Sequence, residues 1–242
     1  MTYISWPDLL AYADWAALRP ITELEYEKIA RGMDIAALPN EYAWGKTTIN
    51  SAEAGEIYPD ANEDGSEQIF DGAANVNSNA LSWTSGDGRV GGPAESQAGP
   101  LRVGIFAEEN SGRLTSGAGY YGHMDLSGNV TEMIVTIGNS DGRKFLGSHG
   151  DGNLTTAAGY EGFASNTDWP GLNPFDDARG VTGTAGSGIR GGDYQSADER
   201  LYQISTRTLA VADPDTRGAS QRFDPSFGVV HGGRLGRTAP SF

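Results

Sequence analysis

Residues 3–32 read YISWPDLLAYADWAALRPITELEYEKIARG, and two helices are legible in them. In the first, Pro7 falls in the opening turn, where a helix makes no use of the amide hydrogen that proline lacks. Trp6, Leu9, Leu10, Ala13 and Ala17 then recur at helical spacing and give one apolar face. The second helix begins at Thr22, which forms a capping box with Glu25 three residues on. Tyr26 and Ile29 carry its apolar side, and Gly32 supplies the stop.

Beyond Gly32 the pattern changes. From Met33 to Phe242 no helical period is sustained, and short apolar runs alternate with Gly, Asn, Asp and Ser clusters. LRVGIFA (101–107), EMIVTIG (132–138) and FGVVHGG (227–233) read as strands. The stretches 56–100 and 139–188 are long, polar and rich in Gly; loops of such length in a compact domain are functional or tied down by ions or neighbours. GTAGSG (183–188) lacks the lysine of a phosphate loop and no helix follows it, so it reads as a flexible loop. There is no fixed-period repeat and no linker dividing the chain. A single domain, 1–242, is expected.

Composition narrows the function classes. Gly and Pro together make 46 of 242 residues, below the roughly 25–30% that marks disorder, and five Trp, ten Tyr and eight Phe provide a core. The net charge of −15 opposes nucleic-acid phosphate and anionic membranes, and favours cations. No cysteine is present, which removes disulfides, thiolate metal sites and cysteine nucleophiles. No apolar run reaches the roughly 18–20 residues that span a bilayer, and MTYISWPDLL has no signal-peptide pattern. The three histidines, His123, His149 and His231, lie far apart and read as loop or packing residues. There is no G-x-S-x-G elbow, Walker loop or H-E-x-x-H.

One turn carries more oxygen than a chain reversal needs. GYYGHMDLSGNVTEMIV (119–135) brings Asp, Asn and Glu around a Ser-Gly pair and runs directly into an apolar strand. Carbonyls and carboxylates so closely spaced are ligands that Ca²⁺ prefers, although the acidic spacing is not that of an EF-hand. A plain turn before a strand has the same composition.

Five stretches in order resemble the formylglycine-generating-enzyme-like (sulfatase-modifying-factor) domains. YISWPDLLAYADWAALRPITELEYEKIARG is similar to the family's W-x-x-A-x-x-[YF]-x-x-W…R-L-P-T-E-x-E-[WY]-E pattern, and EYAWG (41–45) to its Y-P-W-G. GYYGHMDLSGNVTEM resembles G-L-Y-D-M-x-G-N-V-W-E-W, IRGGDY (189–194) resembles R-G-G-S-W, and FGVVHGGR is a loose counterpart of the closing G-F-R, with Arg234 as its arginine. The resemblance implies an α+β, C-type-lectin-like fold: two N-terminal helices and a small twisted antiparallel sheet beneath long ordered loops. It also implies a structural Ca²⁺ on Ser127, Gly128, Val130 and Glu132. A second site would begin at Asn75 and Val76, with Asp87 a weaker member. Family members usually have a further stretch before the ISW helix; its lack here leaves open a fragment, a minimal member, or a chain that borrows a strand.

The family's chemistry is not expected to carry over. Its copper site needs two cysteines after R-G-G-S-Y, where this chain has Ser196 and Leu201. The iron-dependent branch needs a His/His/Glu triad that the histidines here do not supply. Neither copper nor iron is expected. In the variable proteins of diversity-generating retroelements, a further branch, the segment after R-G-G is the ligand-binding surface. Carried over, it nominates Tyr194, Gln195, Asp198, Arg200, Tyr202, Arg207, Arg217, Gln221, Arg222 and Phe227, a mixture of aromatic and hydrogen-bonding groups suited to recognition. Tyr194, Tyr202 and Arg222 are the expected anchors, while Trp6, Trp15 and Trp44 are expected in the core. The expected function is a non-catalytic recognition domain, extracellular, on a cell surface or on a virion, that binds a protein or glycan and neither nucleic acid nor the membrane interior. The alternatives are a self-assembling subunit of an extracellular filament or tail, and an enzyme of unrecognised chemistry.

Overall fold

The computed structural model describes residues 4–51, 57–58, 68–69, 76, 100–194, 196, 198–210 and 231–238. Both expected helices are present. Helix α1, Trp6–Trp15, starts on Ser5, whose side chain accepts the Asp8 amide hydrogen, and buries Trp6, Leu9, Leu10 and Ala13. Helix α2, Glu23–Arg31, has the complete Thr22/Glu25 capping box. It stops at Gly32, whose φ of 83° is open to glycine at little cost. A Cβ there would also enter the Tyr120 ring. Ala17 lies beyond the end of α1 and is exposed, so it is not part of the apolar face.

Strand β1 (Arg19–Pro20) joins the helices. It pairs antiparallel with the last described strand, Leu235–Gly236, numbered β7 in a chain order that includes β2 (Ile57–Tyr58) and β3 (Gln68–Ile69), an antiparallel pair of their own. The central sheet contains β4 (Thr131–Val135), β5 (Ser187–Arg190) and β6 (His231–Gly233) in the order β5-β4-β6. β5 runs antiparallel to β4, but β6 runs parallel to it, so the sheet is mixed and the expected all-antiparallel sheet is corrected.

Every residue of β4 is buried, because elements cover both faces. Ile134 packs with Tyr26 and Ala30 of α2, with Tyr42 and Trp44, and with Tyr202 and Ile204. Met133 and Val135, alternating to the other face, pack with Trp6, Leu10 and Ala13 of α1 and with Trp169 and Val181. The architecture is therefore α+β, with helices on opposite faces of a small sheet and loops making most of the rest.

Two strand expectations change. Residues 101–107 form successive turns, with Ile105 N–H bonded to the Arg102 carbonyl and Ala107 N–H to that of Gly104. Ile105 and Phe106, adjacent in sequence, are both buried, which an alternating strand does not allow. The strand expected at 132–138 ends at Val135; of 227–233, residues 231–233 are β6 and 227–230 lie outside the described residues. Within 183–188, the last two residues, Ser187 and Gly188, are buried strand rather than flexible loop. Of the stretch 139–188, residues 139–186 are held by turns, by two 3₁₀ segments and by isolated bridges at Leu154–Ala164 and Leu172–Val181. Of the three core tryptophans expected, Trp6 (0% exposed) and Trp44 (2%) are buried, while Trp15 is 65% exposed on the outer side of α1.

Candidate functional site

Beneath α2 lies a buried ionic frame. Glu23 and Glu27 are one turn apart on the helix, so both reach the same place on the sheet. There Arg190 of β5 meets Glu23 at 3.2 Å and Glu27 at 2.9 Å, donates to the Ile204 carbonyl, and lies 5.1 Å from the Tyr26 ring centroid. Glu23 also accepts from Thr136 Oγ1, from the Ile137 amide and from Arg207. Burial pushes the Tyr26 phenol well above its usual range, and its hydroxyl donates to the Leu126 carbonyl.

The oxygen-rich turn sits against this frame. Asp125 (φ 57°) and Asn129 (φ 64°) both adopt left-handed backbone, which Asp and Asn tolerate better than other side chains. The turn is tied down on all sides: Ser127 accepts the Ala43 amide hydrogen and donates to the Tyr202 carbonyl, and the Asn129 side chain pairs with both backbone groups of Leu101. Glu132 faces the Arg234 guanidinium at 2.6 Å, and Arg234 also donates to the Met124 carbonyl. Burial works against the Arg234 charge, but Glu132, with Asp125 and Tyr26 adding to it, leaves the guanidinium more basic than usual. Burial pushes the Asp125 carboxyl up to about 6, with Glu132 adding to the rise; the Gly104 amide and Arg234 oppose it.

The proposed calcium ligands fall as follows. Ser127, Gly128, Val130 and Glu132 are together in this turn, and among the described residues the Ser127 and Gly128 carbonyls accept no hydrogen bond. The Ser127 hydroxyl and one Glu132 oxygen are already engaged. Val76 is 1% exposed, bridges to Ser51 and packs in the core beside Ile134; Asn75 and Asp87 lie outside the described residues. Among the described residues no group of three or more His, Asp or Glu side chains is arranged to hold a metal.

The segment after IRGG starts on one edge of the sheet and ends on the other: it leaves β5 at Arg190 and returns as β6 at His231, both paired to β4. Its first part is firmly anchored. The Tyr194 amide bonds to the Asn129 carbonyl, the Tyr202 hydroxyl is shared between the carbonyls of Asp193 (2.8 Å) and Ser196, and the Ile204 amide bonds to the Glu41 carbonyl. Tyr194 (1% exposed) and Tyr202 (0%) are therefore interior supports, and their expected role as surface anchors is corrected. Each places a large ring among buried neighbours, which the polar, loop-like sequence around it did not signal. Arg207 is half exposed but belongs to the Glu23 frame. Asp198 and Arg200 stand on the surface, paired with each other at 2.7 Å on a 3₁₀ turn, Glu199–Tyr202, that Asp198 caps. Gln195, Arg217, Gln221, Arg222 and Phe227 lie outside the described residues.

Sequence reading missed Glu23, Asp14 and Arg113. Glu23 looked like an ordinary first-turn acid, and nothing local distinguishes it. Arg113 donates to the carbonyls of Ala30 and Ala43, closing the end of α2 onto the EYAWG turn, and burial lowers its basicity. The histidines behave as loop and packing groups: His231 Nδ1 lies 2.9 Å from Thr131 Oγ1, and His149 Nε2 accepts from the Thr238 amide. A cavity of about 690 Å³ opens between residues 139–144, 167–174 and 183–187. Two of the carboxylates that line it are engaged, Asp168 by Ser148 and the Leu146 amide, Asp141 by Lys144. Among the described residues no helix is long and apolar enough to cross a membrane.

No model of a known protein family, no curated protein and no solved structure matches this chain.

Proposed function

We propose that the chain is a non-catalytic recognition domain of C-type-lectin-like, formylglycine-generating-enzyme type, exposed outside a cell or on a virion, that binds a protein or glycan through its C-terminal loops. One observation carries the reading: residues 191–230 leave and rejoin the sheet on the two neighbours of β4. Such an excursion can vary in sequence while the frame beneath it stays fixed. Tyr194, Tyr202 and Ile204 form the buried base; Asp198 and Arg200 face outward and, with Arg217, Arg222 and Phe227 from the sequence, make the proposed surface. The test measures wild type, Asp198→Ala/Arg200→Ala and Arg217→Ala/Arg222→Ala/Phe227→Ala against arrays of glycans and of surface proteins. A bound ligand is expected, lost in at least one variant. The first pair should cost about 1 kcal/mol or less, the loss of one exposed cap on the 199–202 turn. Binding unchanged in both variants would overturn the placement. A coding sequence accompanied by a near-identical repeat that differs at adenines, beside a reverse transcriptase gene, is the retroelement signature.

A calcium ion in the 125–132 turn is part of the same proposal. Two buried carboxylates, Asp125 and Glu132, face one cation, Arg234, and among the described residues no donor takes up the buried Ser127 and Gly128 carbonyls. Glu132 would be shared between the ion and Arg234. A ligand at 100 times its Kd adds about 2.7 kcal/mol, so melting in excess Ca²⁺ is expected at higher temperature than in chelator, with Glu132→Ala losing the increment. Identical melting curves for the wild type would remove the ion.

A second reading, a self-assembling structural subunit, is favoured by Leu146 and Phe175, which are 86% and 87% exposed. Both adjoin the walls of the larger cavity, and large apolar side chains so exposed serve contacts better than solvent. Concentration-dependent sedimentation abolished by Leu146→Ser/Phe175→Ser would favour it over recognition of a foreign ligand.

A further inference from the structure

A smaller cavity, about 430 Å³, lies between α2, β7 and residues 121–123. In a chain of net charge −15 its wall is basic: Arg19, Lys28, Arg234 and Arg237 line it against Glu25 alone. Two of these cations are neutralised, Arg19 by Glu25 and Arg234 by Glu132, each at 2.6 Å. Among the described residues the Lys28 ammonium and the Arg237 guanidinium, both exposed, have no ion-pair partner. Two positive charges are therefore left over at the mouth.

The floor has the opposite character. Ile21 is buried there, with Ile29 and Leu235 half-buried beside it. Tyr121, 48% exposed, adds an aromatic face, and burial followed by the Arg234 charge lowers the basicity of His123, which keeps the imidazole neutral near pH 7. Apolar lining with a few convergent charged groups, at a volume of several hundred Å³, is the usual make-up of a small-molecule site. The acidic field of the whole chain repels anions, so a ligand held by charge alone would bind poorly. The floor supplies the second contribution.

We propose that this cavity binds a small organic carboxylate, its charge between Lys28 and Arg237 and its apolar body over Ile21, Ile29 and Leu235. A planar carboxylate suits a guanidinium fork, and the ammonium supplies a second point charge. The cavity borrows Arg234 from the proposed calcium turn, but Lys28 and Arg237 belong neither to that turn nor to the proposed recognition surface, so the carboxylate site does not rest on that reading.

The experiment is a titration of the isotope-labelled full chain, followed by amide resonances, with benzoate, with benzyl alcohol (the same body without charge) and with acetate (the charge without the body). Benzoate is expected to produce saturable shifts at Ile29, Tyr121, His123 and Leu235. Lys28→Gln/Arg237→Gln should weaken it by about tenfold or more, as for charge partners that fix a ligand, and leave resonances elsewhere in place because neither side chain holds the fold. Benzyl alcohol and acetate should each bind at least about tenfold more weakly. Benzyl alcohol matching benzoate, unchanged affinity in the double variant, or shifts that never saturate would each overturn the proposal.

Discussion

Arg190→Met is expected to lower stability by about 3–5 kcal/mol, the range for removing one partner of a buried ion pair. For a domain of this size that is a fall in Tm of about 6–20 °C, at about 2–4 °C per kcal/mol. Arg190 is 2% exposed and Glu23 1%, so the buried Glu23 carboxylate would be left under α2 with the half-exposed Arg207 as its ion-pair partner, while Glu27 would keep Arg31. The Ile204 carbonyl would lose its donor as well. The loss arises from the stranded charge more than from the missing attraction, which gives a second expectation: Glu23→Gln in the Arg190→Met background should restore part of the stability. Denaturant unfolding of the two single variants and the double measures this as a coupling energy. A loss below about 1 kcal/mol for Arg190→Met would mean that water reaches the frame and that it is not buried as described.

Asp14→Ala is expected to cost about 3 kcal/mol or more, from hydrogen bonds to a charged acceptor worth roughly 1.5–3 kcal/mol each. Asp14 is fully buried at the end of α1. One carboxylate oxygen accepts the amides of Asp151 and Gly152, and the other accepts that of Ser165, so a single side chain fastens two loops to the helix. The packing leaves no room to compensate: a Cβ on Gly150 would stand 2.2 Å from the Asp14 Cα, so the loop lies directly on the helix backbone. Asp14→Asn, which keeps one acceptor oxygen, should fall between wild type and Asp14→Ala. Trp15→Ala, one residue on, should cost about 1 kcal/mol or less, because the ring is mostly solvated. Thermal melts of the three variants decide it. A Trp15→Ala variant less stable than Asp14→Ala would reverse the assignment of what holds α1.

These two residues mark the limit of sequence reading here. Helices α1 and α2, the capping box and the Gly32 stop are set by interactions within about four residues, so the sequence alone determines them. The run 132–138 likewise announces a strand, of which 132–135 fall in β4. The motifs behind the family resemblance turn out to be load points of the interior: Trp6, Trp44, Glu132 and Arg190 are all buried. Tertiary structure decided what no local rule could. Arg190 finds Glu23 across 167 positions and Asp14 finds Ser165 across 151. β6 pairs parallel with β4 on the edge opposite β5, and neither that edge nor that direction can be read from the residues of either strand. Trp6 and Trp15 are equally apolar in sequence, and only the position of the sheet sends one inward and leaves the other in water. Tyr194 and Tyr202 show the same physics on the C-terminal side: their polar surroundings in sequence suggested a surface, and partners near the oxygen-rich turn and the 40s segment made them core. Local propensity specifies an element's type; burial depends on which distant segments can satisfy its polar groups and fill its apolar face.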